Sequence, residues 1–250
     1  MKLTIFTLFP EMVEGFFTNS IMKRAVERSL ITYDLINWRD WATDRHKKCD
    51  DIPYGGGAGM VLSCEPLCRA LDAVDAKEKR VIYPSPSGRL LDQAYAKELS
   101  ESEELLFICG HYEGLDQRII DTYVDDEISI GDYVISSGEV ATLVIVDALY
   151  RLIDGVITQD SLSEESFQDG LLEYPQYTRP ETYCAKSVPE VLLSGHHAKI
   201  EEWRLEKQLE RTILRRPELL EVADLDATTR KVFNALRIKS AKGTIDDGCN

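Results

Sequence analysis

Two glycine-bearing segments constrain this chain more than any other feature: Cys109-Gly110-His111-Tyr112-Glu113-Gly114, and Ser129-Ile130-Gly131-Asp132-Tyr133-Val134-Ile135-Ser136-Ser137-Gly138-Glu139. Each emerges from an apolar run, and short apolar runs bounded by glycine read as buried strands. Glycine tolerates positive φ and lets bare main chain approach a ligand, so the two segments can bring backbone amides against one small molecule. Neither carries GxGxxG, and GxxxxGK[ST] occurs nowhere in the chain, so a conventional nucleotide-binding fold is disfavoured.

Short apolar runs alternate with helical periodicity over the first two thirds, the pattern of an α/β domain with a mainly parallel sheet and helices on both faces. Strands are expected over Leu3–Phe9, Asp34–Asn37, Arg80–Tyr83, Glu104–Cys109 and Asp132–Ser136. Asn19 or Ser20 can cap a helix that buries Ile21, Met22, Ala25, Val26 and Leu30. Further helices are expected over Cys64–Val74 and Asp92–Glu98. Glu139–Ile153 has too few polar residues for a surface helix and is expected to be buried on most sides. The polar, aperiodic stretch after Gly155 reads as a linker, giving an α/β domain over 1–157, a linker over 158–169 and a small helical domain over 170–250. In that last domain His197–Leu214 is helical and Pro217 suits the first turn of another helix.

No apolar stretch reaches the roughly 20 residues needed to span a bilayer. The brief apolar N-terminal run lacks a small-residue cleavage site, and a cytoplasmic protein without membrane partners is expected. The cysteines form no CxxC pair, so they read as reduced thiols rather than zinc ligands or a disulfide framework. A net charge of −15 argues against indiscriminate nucleic-acid binding. Two local basic stretches remain, one around Arg39, Arg45, His46, Lys47 and Lys48, the other over Lys199–Lys242, where eleven Lys or Arg outnumber eight Asp or Glu. Composition alone reads both as solvated polar faces.

Together with Pro53-Tyr54-Gly55-Gly56-Gly57-Ala58-Gly59-Met60 and Tyr174-Pro175-Gln176-Tyr177-Thr178-Arg179-Pro180, the two glycine segments resemble the bacterial tRNA (guanine-N1)-methyltransferases of the knotted SPOUT superfamily. The similarity runs from Leu8-Phe9-Pro10 to Arg215-Arg216-Pro217-Glu218-Leu219-Leu220. It implies a C-terminal trefoil knot in the α/β domain, which periodicity does not reveal and which general topology rules treat as nearly forbidden. It also implies a homodimer, with the long apolar helix at the interface, and a tRNA substrate methylated from S-adenosylmethionine at N1 of the guanosine immediately 3′ of the anticodon. Other readings compatible with the motifs are a knotted methyltransferase with another RNA target and a catalytically silent RNA-binding protein.

Carried over residue by residue, the resemblance gives a cofactor pocket of Tyr83, Pro84, Pro86, Gly110, Tyr112, Glu113, Ile130, Gly131, Asp132, Tyr133, Val134, Ile135, Ser137 and Gly138. Guanine N1 carries a proton, so its methylation needs a base and something to stabilise charge on O6; a carboxylate and an arginine suit those tasks. The resemblance assigns Arg151 to the second, although Asp147 lies four residues earlier and could pair with it. The family's base is typically an aspartate before Ser-Phe. Here Glu165 precedes Ser166-Phe167, which makes Glu165 the expected base, Glu164 and Asp169 weaker candidates, and Ser166 an orienting group. Some relatives depend on magnesium, which those acids could recruit. Arg45, His46, Asp50 and Tyr54 match the region near the target guanosine. Two departures stand out: His111 where the family commonly has arginine, and Ser137-Gly138 in place of paired glycines.

Overall fold

The computed structural model describes residues 1–158, 165–167, 170–223 and 225–241, which form two compact units, Met1–Thr158 and Gln159–Asn250. The first is built on a five-stranded sheet of order β2-β1-β6-β5-β7, parallel at every pairing. Its strands are β1 (Lys2–Thr7), β2 (Thr32–Asn37), β5 (Arg80–Leu90), β6 (Glu104–Ile108) and β7 (Asp126–Ser129); Asp50–Asp51 (β3) and Val61–Leu62 (β4) form a separate antiparallel pair.

Successive side chains of a strand point to opposite faces, and the central strands are apolar in both directions because both faces are covered. Leu3 and Ile5 of β1, Ile82 of β5, and Leu105 and Phe107 of β6 enter one core with helices α1 (Pro10–Phe17), α2 (Ser20–Glu27), α4 (Gln93–Ser100) and α6 (Gly138–Tyr150). Phe6, Val81, Tyr83, Leu106 and Ile108 enter the other, with α3 (Cys64–Asp72) and α5 (Gln117–Tyr123). The expected α/β architecture with helices on both faces is therefore present.

Local chemistry sets the helix ends. Proline at the first position of α1 has no N–H to leave unpaired, and Asp92 caps α4 by accepting from Tyr95 N–H at 2.7 Å. Asn19 does not cap α2 through its side chain. Its amide instead donates to Gly15 O at 2.8 Å and closes the end of α1.

One expectation about the second glycine segment needs correction. The strand lies at Asp126–Ser129, not Asp132–Ser136, because Gly131 turns the chain out of the sheet and Val134 is left exposed. Helix α6 is buried on most sides, as expected: Glu139, Ala141, Thr142, Ile145, Val146, Leu149 and Tyr150 are buried, and Val140, Val144 and Asp147 form one exposed stripe, the two valines keeping 47% and 44% of their surface.

The second unit holds a short hairpin, β8 (Thr182–Tyr183) and β9 (Lys186–Ser187), and helices α7 (Glu190–Leu193), α8 (His197–Arg215), α9 (Leu219–Val222) and α10 (Ala227–Ala241). Leu171, Leu209, Leu225 and Leu236 form its core. Pro217 precedes α9 rather than opening it. No helix among the described residues is long and apolar enough to cross a membrane.

Candidate active site

At the C-terminal edge of the sheet, where open parallel sheets place their ligand crevices, three loops enclose a cavity of about 310 Å³. Each wall has a backbone origin. The first is a bulge in β5: Pro84 and Arg89 both register with Ile128, and the residues between them leave the ladder. The second, Gly110–Gly114, follows β6; the third, Ile130–Ser137, joins β7 to α6.

The second and third walls meet main chain to main chain. Gly138 N–H donates to Gly110 O at 2.8 Å, and a Cβ on Gly138 would stand 2.4 Å from Gly110 N. Only a residue without a side chain permits that approach. Tyr83 lies against the second loop, so a Cβ on Gly110 would come within 2.9 Å of its ring. Burial pushes the Tyr83 hydroxyl pKa up, keeping it a neutral donor. Tyr112 takes a left-handed φ of 57°, which turns its ring outward at the rim.

Behind the second loop lies a carboxylate that sequence reasoning did not single out. Glu139, in the first turn of α6, is 0% exposed. Its Oε1 accepts from Thr7 Oγ1 at 2.5 Å; its Oε2 accepts from Ser137 Oγ at 2.7 Å and lies 2.6 Å from His111 Nε2. Thr7 Oγ1 also accepts from Phe9 N–H at 2.8 Å, which leaves its hydroxyl hydrogen for the carboxylate. The His111 ring packs edge-on against Phe9, with centroids 5.0 Å apart. Burial, reinforced by Glu139, pushes the neighbouring Cys109 thiol pKa far above its ordinary value, so that cysteine is no nucleophile. An acid in the first turn of an otherwise apolar helix was the available signal for Glu139.

Of the residues expected to hold a cofactor, Tyr83, Pro84, Pro86, Gly110, Tyr112, Glu113, Ile130, Gly131, Tyr133, Val134, Ile135, Ser137 and Gly138 all line this cavity. Asp132 does not; it points to solvent between Gly131 and Tyr133. Ser85, His111, Gly114, Ile128, Ser129, Ser136 and Ala141 complete the lining.

The region expected near the RNA is tied to the second loop. Glu113 N–H donates to Met60 O at 3.0 Å and Leu62 N–H to Gly114 O at 2.9 Å, so the β3–β4 hairpin sits beside the cavity. Tyr54, at its tip, is fully exposed, and Asp50 is in β3. Asp44 folds the preceding turn by accepting from His46 N–H and Lys48 N–H, each at 2.8 Å, leaving Arg45 and His46 on the surface.

Arg151 follows the last turn of α6. Thirteen residues separate it from Gly138 at the cavity, about 20 Å at 1.5 Å per residue. Glu165 and Ser166 belong to the second unit, where Ser166 Oγ accepts from Glu173 N–H at 2.9 Å; Glu164 and Asp169 lie outside the described residues. The cations of α8 are largely engaged: Arg204 with Glu201, Lys207 with Glu210, and Arg211 with Glu173 O.

Comparison with known proteins agrees with this arrangement. The sequence model described as tRNA (Guanine-1)-methyltransferase TrmD matches residues 1–222. A tRNA (guanine-N(1)-)-methyltransferase of Treponema denticola is 62% identical over 223 residues, covering 89% of this chain and 92% of that protein. Proteins of the same name from Treponema pallidum and Borreliella burgdorferi are 55% and 56% identical, covering 91% and 88% of this chain and 91% and 92% of their own lengths. With the family's sequence pattern spanning both units and the three-loop cavity in place, the chain belongs to the tRNA (guanine-1)-methyltransferase family.

Proposed function

We propose that the three-loop cavity binds S-adenosylmethionine and that the chain methylates N1 of the guanosine immediately 3′ of the anticodon in tRNA. The observation that carries this reading is the backbone contact of Gly138 with Gly110, which closes loops from two strands around one small-molecule cavity. The cavity suits such a ligand: its walls offer main-chain donors and acceptors for an adenine edge, and a Cβ on Gly138 would intrude on the second wall's main chain. When bound, the cofactor supplies an electrophilic methyl group.

The protein's own part is positional and electrostatic. Gly110, Tyr112 and Glu113 on one side, and Ile130, Gly131, Tyr133, Val134, Ile135, Ser137 and Gly138 on the other, would hold the donor in one orientation, with Tyr83, Pro84 and Pro86 closing the floor. Glu165 would take the N1 proton, Ser166 would orient that carboxylate, and Arg151 would stabilise charge on guanine O6. The β3–β4 hairpin, with Arg45, His46, Asp50 and Tyr54, would meet the RNA beside the cavity. Among the described residues no group of three His, Cys, Asp or Glu could hold a metal ion; Glu164 and Asp169, which could recruit magnesium, lie outside them.

The same geometry supports a homodimer. Arg151 is a helix length from the cavity of its own chain, and the exposed Val140 and Val144 give α6 an apolar face that a second copy would cover, bringing a partner arginine to each site. The knot expected from the family would lie where Gly138 crosses Gly110, and a tRNA substrate implies the cytoplasm.

The direct test is incubation of the full chain with methyl-labelled cofactor and unmodified tRNA carrying consecutive guanosines at the anticodon junction, followed by nucleoside analysis. Labelled 1-methylguanosine at that position is expected. Methylation of another base, or of transcripts in which adenosine replaces that guanosine, overturns the assignment.

A further inference from the structure

We propose that Thr7 and Glu139, neither of which lines the cavity, are positioning residues that fasten its second and third walls to the sheet and so set its affinity for a ligand from behind. Thr7 ends β1, an interior strand, and Glu139 lies in the first turn of α6; both are 0% exposed. The Glu139 carboxyl group meets Thr7 Oγ1 at 2.5 Å, Ser137 Oγ of the third loop at 2.7 Å and His111 Nε2 of the second at 2.6 Å. One group therefore touches a strand end and both loops, whichever of these atoms carry the hydrogens.

Main chain alone ties these walls sparsely. Cys109 N–H donates to Phe6 O at 2.9 Å where the β1–β6 ladder ends, and among the described residues one backbone hydrogen bond, Gly138 N–H to Gly110 O at 2.8 Å, joins the two loops. The side chains supply the rest. Thr7 Oγ1 also accepts from Phe9 N–H at 2.8 Å, and the Phe9 ring packs edge-on against His111, so the end of β1 reaches the second loop by two routes. Hydroxyl and carboxyl groups cost more to bury than aliphatic side chains of the same volume, so this cluster is a poor way to gain stability. Once each member is met, however, it fixes one geometry. That geometry is the spacing of Gly110–Gly114 from Ile130–Ser137, across which the ligand would lie.

The test has one arm that needs neither ligand nor activity. In the full chain, Thr7→Val keeps the shape of the side chain and removes its hydroxyl. Hydrogen exchange of the Gly138 amide, the N–H that joins the two loops, should become about tenfold faster, while that of Ile82 in β5 does not change. Unchanged exchange at Gly138, or an equal rise at both amides, overturns the proposal.

The second arm rests on the methyl-transfer reading. Titration calorimetry should find the affinity of Thr7→Val for S-adenosylmethionine about tenfold weaker, the scale of one buried hydrogen bond, although Thr7 does not line the cavity. Because Phe9 N–H also loses its acceptor, the double variant separates the two routes: in a Glu139→Leu chain, Thr7→Val should cost no further affinity. Unchanged affinity in Thr7→Val overturns the proposal, and so does a full additional loss in the double variant; if Glu139→Leu does not fold, the single variant decides. With cofactor and tRNA saturating, kcat of Thr7→Val should match that of the natural chain, and a fall in kcat at unchanged affinity overturns the positioning role. Should the natural chain bind no S-adenosylmethionine, the functional reading fails while hydrogen exchange still decides the fastening.

Discussion

The two units of this chain are held together by very different amounts of core. In the first, both faces of a parallel sheet are sealed, and large side chains such as Phe6, Phe17, Trp38 and Phe107 lose all exposure. In the second, four leucines form the buried cluster, and the surrounding helices rely on local ion pairs such as Lys207 with Glu210. The contrast is one of rigidity: a cavity walled by main chain needs a frame that does not yield, whereas a four-leucine cluster with local ion pairs gives a softer one.

The sharpest way to break this comparison is at the junction of the walls. Gly138→Val places side-chain atoms where Gly110 backbone lies 2.4 Å from an added Cβ. We expect cofactor affinity to fall by about a hundredfold or more, since packed backbone cannot give way without opening the cavity. Titration calorimetry reads it, and retained affinity would mean that the walls do not bind the ligand.

Core truncations come next. Phe107→Ala should cost about 3–5 kcal/mol and abolish cooperative melting of the first unit at moderate denaturant. Leu209→Ala should cost about 2–5 kcal/mol but act on the second unit, leaving cofactor affinity unchanged. A loss of cofactor binding in Leu209→Ala would show that the units are not energetically separable.

A smaller effect concerns Asp126, which supports the third wall from β7. Burial pushes its carboxyl pKa up, but the Arg80 guanidinium at 2.6 Å and the Tyr95 hydroxyl at 2.7 Å overcome this and hold it below the usual range. A carboxyl depressed in the folded state stabilises above its unfolded value and loses that contribution as pH falls through the folded one. The Tm of the first unit should therefore drop below about pH 4, and Asp126→Asn should flatten that acid dependence while lowering Tm near neutrality. Equal acid dependence in the two proteins would contradict this.

The mildest change is at the rim. Tyr54 is fully exposed at the tip of its hairpin, so Tyr54→Ala should alter stability by no more than about 0.5 kcal/mol. Loss of one stacking platform should raise the KM for tRNA several-fold without changing cofactor affinity.

What was legible in the sequence follows the same division. Runs such as Leu105–Cys109 have one interpretation because a strand buried on both faces must be apolar at every position, and the glycines after them marked two of the cavity's walls before any coordinate. The misplaced strand at Asp132–Ser136 failed because apolar residues lining a cavity look in sequence like residues lining a core. Glu139 was missed because two of its three partners, Thr7 and His111, come from separate segments that only the fold brings together.

The most direct test is a crystal structure of the full chain with S-adenosylmethionine. Ligand density between the β5 bulge, Gly110–Gly114 and Ile130–Ser137, with its adenine edge bonded to their main chain, is the predicted result. Density elsewhere on the molecule, with those three loops unliganded at saturating cofactor, would contradict it.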